Sequence, residues 1–325
     1  MESFGGKRAV VTGGGSGMGR ELVIQLAAEG CSVATCDVNP TGLAETQARA
    51  ETEAPAGTKV TTYECDVSDE AAVLAFRDGV VDAHGNVIEL LFNNAGIGGA
   101  GSFVADSREV WERTFAVDWW GVYYCARAFL PNLMAAEEAR LVNTSSVNGF
   151  WASLGPGIPH TAYSTAKFAV KGFSEALIED LRVNAPHVQV SVVMPGHIGT
   201  DIVANSRRYF GRPEPDALTD ADLVTTREQM VRRGLPVAEF SADQLRGTVK
   251  MLEEGFRDGA PLGAAGAATI ILDGVRAGKW RILVGDDAHR LDVHVRADPE
   301  AAYDHAGVGI NPLTMEVATE AEPAG

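Results

Sequence analysis

A doubly wound α/β fold, a seven-stranded parallel sheet in a single domain, is what this sequence predicts, on three observations. Apolar runs of strand length alternate with segments of helical periodicity through the first two thirds of the chain, the pattern of a parallel sheet covered on both faces. A glycine-rich turn, Thr12-Gly13-Gly14-Gly15-Ser16-Gly17-Met18-Gly19, lies between the first such run and the first helical segment. The 325 residues, 46% hydrophobic and 22% charged, are enough to bury one large core.

In chain order the strand candidates are 8–12, 32–37, 59–66, 89–93, 140–145, 189–194 and 281–284. The helical segments between them are 20–29, 41–51, 70–84, 107–134 and 163–184. Pro131 is expected to bend or end the fourth, because it has no N–H to donate to the turn before it,. From 200 to 259 the sequence turns polar and irregular around Arg212-Pro213-Glu214-Pro215-Asp216, with helix-like stretches near 220–233 and 242–255. A segment this long is not an ordinary connection. It reads as a helical lid over a substrate site, with a plain surface insertion as the rival. The domain is therefore expected over 1–296, with the lid inside it and an acidic, Pro/Gly-spaced tail at 297–325. Such a tail is either free alone or pinned by a neighbouring subunit.

The 27 basic and 44 acidic residues give a formal charge of -17, which repels nucleic-acid backbones and anionic lipid. No run approaches the roughly 20 apolar residues of a membrane span. Met1-Glu2-Ser3-Phe4 leads into Lys7-Arg8-Ala9-Val10-Val11 without a signal-peptide core,. A cytoplasmic protein is expected, with no nucleic-acid or membrane partner. Cys31, Cys36, Cys65 and Cys125 lack metal-like spacing, so buried free thiols and no metal site are expected.

Two groups of residues carry chemistry. In the glycine turn, Gly13 permits a tight bend, Gly17 lets the backbone approach a pyrophosphate, and Gly19 allows strand and helix to pack closely,. The helix N-terminus behind it then faces the phosphates. Asp37 ends the second strand, where a carboxylate accepts hydrogen bonds from ribose hydroxyls and repels a 2′-phosphate,. NAD is therefore favoured over NADP, with Arg20 the residue that argues the other way. Asp66-Val67 after the third strand and Asn93-Asn94-Ala95-Gly96 after the fourth are placed to meet the cofactor, or are plain turn chemistry,. The second group is Tyr163 and Lys167, four residues apart on one helical face,. A lysine ammonium near a phenol favours the phenolate and turns a poor base into a usable one.

These motifs, in this order with Ser145-Ser146 before Tyr163 and Pro195-Gly196-His197-Ile198-Gly199-Thr200 after it, resemble the short-chain dehydrogenase/reductases over roughly residues 5 to 285. The resemblance implies a Rossmann-like fold and a nicotinamide cofactor held by Gly13, Ser16, Gly17, Met18, Gly19, Asp37, Asp66, Val67, Asn93, Ala95, Gly96, Tyr163, Lys167, Pro195, Gly196, Ile198 and Thr200. It makes Tyr163 the acid/base, Lys167 the group that holds the nicotinamide ribose and lowers the tyrosine pKa, and Ser146 the binder of the substrate oxygen, with Ser145 as the alternative serine. Asp118 occupies the position where the family usually has an asparagine that helps a proton relay. The stretch from Ser146 to Tyr163 is a few residues longer than usual for the family, and the extra residues, within 150–160, would rim the substrate site. His197 is read as structural. The resemblance also implies a homodimer or homotetramer built partly from the 107–134 and 163–184 helices.

The expected activity is hydride transfer between nicotinamide and a secondary alcohol or ketone. Trp119, Trp120, Phe150, Trp151, Tyr209 and Phe210 suit a bulky apolar substrate if they border the site, and equally well a core or subunit interface,. Two alternatives stand beside this reading: an NADPH-dependent carbonyl or 3-oxoacyl thioester reductase, and a non-catalytic NAD(H)-binding sensor or scaffold.

Overall fold

The computed structural model describes residues 1–99, 101–155, 158–232 and 235–304. Its first half alternates β1 (Arg8–Thr12), α1 (Gly17–Ala28), β2 (Ser32–Asp37), α2 (Pro40–Glu53), β3 (Val60–Glu64), α3 (Glu70–His84) and β4 (Leu90–Asn93). Then come α4 (Arg108–Phe115), α5 (Gly121–Met134), β5 (Ala139–Thr144), α6 (Thr161–Asn184) and β6 (Val188–Pro195). The remainder holds β7 (Ile198–Gly199), α7 (Ile202–Tyr209), α8 (Asp220–Arg232), α9 (Ala242–Asp258), β8 (Leu262–Gly263), α10 (Ala264–Arg276), β9 (Arg281–Val284) and α11 (Asp286–Ala297).

Seven strands form one parallel sheet in the order β3-β2-β1-β4-β5-β6-β9. The chain leaves β1 toward β2 on one side and returns to β4 on the other, so the carboxyl ends of β1 and β4 flank a crevice where such sheets bind ligands. Successive side chains of a strand point to opposite faces, and β1 divides accordingly. Ala9 and Val11 join Leu22, Leu26, Ala50, Ile271 and Val275 of α1, α2 and α10. Val10 joins Val73, Phe76, Phe129 and Leu181 of α3, α5 and α6. The sheet thus carries an apolar layer on each face, with the edge strand β3 partly open to solvent.

Two departures from the sequence reading bear on the site. The single helix expected over 107–134 is α4 and α5 joined by one π turn, Ala116–Trp120. A π turn inserts an extra residue into the helical ladder and re-aims the side chains on it; here it carries Asp118 inward, fully buried. Pro131 sits in the last turn of α5, which ends three residues later. Helices α7, α10 and α11 were not anticipated, nor was the short parallel β7–β8 pair. The insertion has a small core of its own, Leu218, Leu223, Met230, Leu235, Val237 and Leu245, while α7 lies back against the main sheet's crevice. Residues 297–304 of the expected tail pack on their own chain through a short turn at Ala301–Tyr303; the rest of that tail lies outside the described residues. The four cysteines are free and buried, and among the described residues no helix is long and apolar enough to cross a membrane.

Candidate active site

The glycine turn is locked between three strands. Gly13 and Gly14 donate their N–H groups to the Cys36 carbonyl at 2.7 and 3.1 Å, tying the turn to the end of β2. Gly13 has φ +73° and Gly17 φ +52°, the left-handed region that side chains disfavour. A Cβ on Gly13 would stand 2.8 Å from the Ala95 Cα, and one on Gly19 only 2.0 Å from the Gly13 carbonyl oxygen. The backbone of α1 therefore opens directly onto a cavity of about 800 Å³ lined by Ser16 to Gly19, Asp37, Asp66, Val67, Asn94 to Ile97 and Thr200. Unpaired N–H groups and the positive end of the helix dipole suit an anion there. The size of the cavity and the glycine cradle fit a dinucleotide.

Asp37 sits at the rim, its carboxylate accepting N–H groups from Gly15 at 2.9 Å and Asn39 at 3.0 Å. Burial pushes its pKa up against these hydrogen bonds. Each oxygen keeps a lone pair for a ribose hydroxyl. Arg20 does not reach the cavity, since its guanidinium bonds the Gly15 carbonyl at 2.5 Å, Thr46 at 3.0 Å and Glu45 at 3.0 Å. The residues lining this end are Asp37, Val38, Asn39, Pro40 and Thr41, with no cation among them to bind a 2′-phosphate.

At the other end, the Gly96–Ile97 turn is the joint between cavity and catalytic cluster. Ile97 N–H donates to Asp118 Oδ1 at 3.1 Å, and the same oxygen lies 3.2 Å from Lys167 Nζ, both side chains almost wholly buried. Lys167 Nζ also donates to the Thr144 carbonyl at 3.2 Å and stands 5.3 Å from the centre of the Tyr163 ring. Ser146 lies near enough to the Tyr163 phenol to favour its ionised form, and its Oγ accepts the Asn148 N–H at 3.1 Å. Ser145 is turned away, donating to the Lys167 carbonyl at 2.7 Å. His160 stacks on Tyr163 with ring centres 4.5 Å apart.

The electrostatics run against simple expectation. Burial is the largest influence on Tyr163 and raises its pKa; Lys167 and Ser146 pull it down, Asp118 pushes it up, and the net is upward. Burial likewise pushes Asp118 up to about 6, against the pull of Lys167. Lys167 itself is held above its usual value: burial lowers it, and the charges of Asp118 and Tyr163 together with the Asp118 hydrogen bond more than compensate. Asp118 thus offsets much of what the lysine does for the phenol.

Residues 7–209 match the family profile described as short chain dehydrogenase. The chain belongs to the short-chain dehydrogenase/reductase family. It is an oxidoreductase. A Mycobacterium tuberculosis protein whose name, SadH, carries only the class oxidoreductase is 36% identical over 296 residues, covering 91% of this chain and 92% of its own. A short-chain dehydrogenase/reductase from Burkholderia phymatum, solved with NAD, superimposes with a TM-score of 0.71 at 30% identity, over 93% of this chain and 95% of that one. A metagenomic short-chain oxidoreductase solved with NADP gives 0.53 at 31% identity, over 59% and 83%.

Within this oxidoreductase, Gly13, Ser16, Gly17, Met18, Gly19, Asp37, Asp66, Val67, Ala95, Gly96 and Thr200 line one cavity, with Ser146, Tyr163, Lys167 and Asp118 beyond its Gly96 end. Asn93 is elsewhere: it is buried and donates to Asn143 Oδ1 at 2.8 Å inside the sheet, leaving Asn94 at the wall. Pro195, Gly196 and Ile198 form a shelf outside that lining, Gly196 bonded to Val284 and Ile198 paired with Leu262. His197 is a structural residue, its N–H donating to Asp287 and its Nε2 set 2.6 Å from the Phe256 carbonyl oxygen.

Sequence reasoning missed the contribution of α7. Asn205 donates to Ser16 Oγ at 3.0 Å, Tyr209 O–H to Asp66 Oδ2 at 2.9 Å, and the Gly98 N–H to Ser206 Oγ at 2.8 Å. Arg208 of α7 and Arg113 of α4 complete the lining. Of the six aromatics weighed as substrate contacts, Tyr209 alone lines the cavity. Trp119 and Trp120 cluster with Tyr123, Tyr124 and Phe173, Phe150 and Trp151 pack on α11, and Phe210 packs behind the site in the sheet's second core layer.

Proposed function

We propose that this enzyme transfers hydride between NAD and a secondary alcohol or its ketone, with Tyr163 as the acid/base. The observation that carries the reading is one buried phenol with the Lys167 ammonium 5.3 Å from its ring centre and Ser146 near its hydroxyl, beyond the Gly96 end of a glycine-floored cavity. The nicotinamide, when bound, supplies the hydride acceptor or donor. Gly17 to Gly19 and the α1 N-terminus would hold its pyrophosphate, and Asp37 its adenosine ribose. Ser146 would orient the reacting oxygen. Tyr163 gives that oxygen a proton in reduction and takes one from it in oxidation, a role typically contributing about 10²- to 10⁴-fold. Because the phenol is held above its ordinary pKa, the protonated form is ready at neutral pH, and oxidation should quicken as pH rises.

Asp37, with no cation among the residues 37–41 that line this end of the cavity and with Arg20 engaged elsewhere, supports NAD over the NADPH-dependent reductase reading. The aromatics no longer argue for apolar bulk, so small and large alcohols both belong in the test. A cytoplasmic location agrees with four free thiols,. A homodimer or homotetramer agrees with the exposed Trp120 and Phe168 on adjoining helices,. The rival non-catalytic reading draws on Asp118, whose charge offsets Lys167. Steady-state turnover with NAD and a range of secondary alcohols checks the proposal; tight NAD binding with no turnover on any of them would favour the rival.

A further inference from the structure

We propose that residues 298–304, through Trp151 and Tyr303, brace the loop that follows Ser146 and so determine which substrates fit beside it. This rests on Ser146 facing the reacting oxygen. The loop is knitted to the serine from within: Asn148 donates its backbone N–H to Ser146 Oγ, and its side-chain amide to the Trp151 and Ser153 carbonyls at 3.0 and 2.8 Å. Any shift at Trp151 is therefore passed to the serine through one buried asparagine that donates to both ends of the loop,. What holds Trp151 is the end of the described chain. Its indole N–H donates to the Ala302 carbonyl at 2.8 Å, and the neighbouring Ala152 N–H donates to the Tyr303 hydroxyl at 3.1 Å. Val147, Trp151, Ala288, Leu291 and Ala302 form a separate apolar cluster. The same α11 reaches the other side of the site, where Asp287 accepts the His197 N–H at 2.6 Å.

A substrate no larger than its carbinol carbon and two methyls would not reach residues 150–155, whereas a bulky one would rest on them. The experiment compares wild type with Tyr303→Phe, which deletes one polar contact and keeps the ring, and Trp151→Phe, which deletes the indole N–H and keeps a smaller aromatic ring. KM for 1-phenylethanol should rise about 5- to 10-fold, the equivalent of one lost hydrogen bond, with KM for 2-propanol and the affinity for NAD unchanged. Amide hydrogen exchange across 147–155 should quicken in both variants while the glycine turn is unaffected. Equal effects on both alcohols, or unchanged exchange in 147–155, would overturn the brace. If wild type turns over neither alcohol, the functional reading fails on its own, and the exchange result alone still decides the brace.

Discussion

Asp118 is the residue on which the chemistry turns. Its buried carboxylate contacts the lysine that should assist Tyr163, and the phenol carries the consequence. Replacing it with asparagine keeps an oxygen for the Ile97 N–H and removes the anion. The sign follows directly: an ionised Asp118 disfavours the phenolate, so Asp118→Asn should lower the Tyr163 pKa. The alkaline-activated limb of kcat/KM for alcohol oxidation should then move about one unit toward lower pH. An unmoved limb, or one displaced upward, would show that Lys167 gains nothing from losing its partner. Asp37 gives a second test at this scale. Asp37→Ser removes the rim carboxylate, and kcat/KM for NADP relative to NAD should rise about tenfold or more, the scale of one removed charge contact. At this scale the sequence was legible where chemistry demands a residue type, as at Tyr163, Lys167 and the glycines. It was not legible where one residue of register decides which neighbour faces the ligand: Asn93 ends β4 pointing into the sheet, and Asn94 takes the wall.

Among elements, the glycine turn is the least tolerant. Gly13→Ala combines a left-handed backbone with a Cβ pressed on the Ala95 Cα, so it should weaken NAD binding at least about tenfold, measured by calorimetry, and lower Tm. The junction of β9 and α11 carries a pH-dependent stability. Asp292 meets Arg281 at 2.9 Å and Arg296 at 2.8 Å, and these guanidinium groups hold its pKa down to about 2. An unfolded aspartate titrates near about 3.9, so the contribution is complete above that pH and is lost as pH falls through about 2. Asp292→Asn should cost roughly 2 kcal/mol at pH 7 by denaturant unfolding, the gap from wild type closing between about pH 4 and 2. The inner sheet strands were readable as apolar runs because both their faces are buried, and the edge strand β3, Val60–Glu64, by its β-branched and aromatic residues, although it is only partly buried,. The helices that were missed had weaker signals: α7 is short and polar, and α11 lies in an acidic stretch that resembles a tail. The π turn at Asp118 left no mark in the periodicity, since one extra residue disturbs a helical pattern too little to see.

For the whole molecule, a charge of -17 agrees with a small-molecule enzyme, and the π turn and α6 that adjoin on one side of the sheet each present an exposed aromatic side chain. Trp120 is 41% and Phe168 42% accessible. Trp120→Glu should shift the particle toward monomer in light scattering while leaving Tm near that of wild type; an unchanged mass would place any interface elsewhere. The fold as a whole was readable because its strand and helix periods agree over most of the chain, whereas the way 297–304 closes back on Trp151 depends on contacts about 150 positions apart, which local patterns do not encode. The central claim is that Tyr163 performs proton transfer beside an NAD-loaded cleft. It is tested most directly by absorbance of reduced nicotinamide with NAD or NADP and a panel of secondary alcohols, comparing wild type with Tyr163→Phe. NAD-dependent turnover that falls at least about 10²-fold in the variant, with NAD affinity retained, is the predicted result. Equal turnover in the two proteins would contradict it.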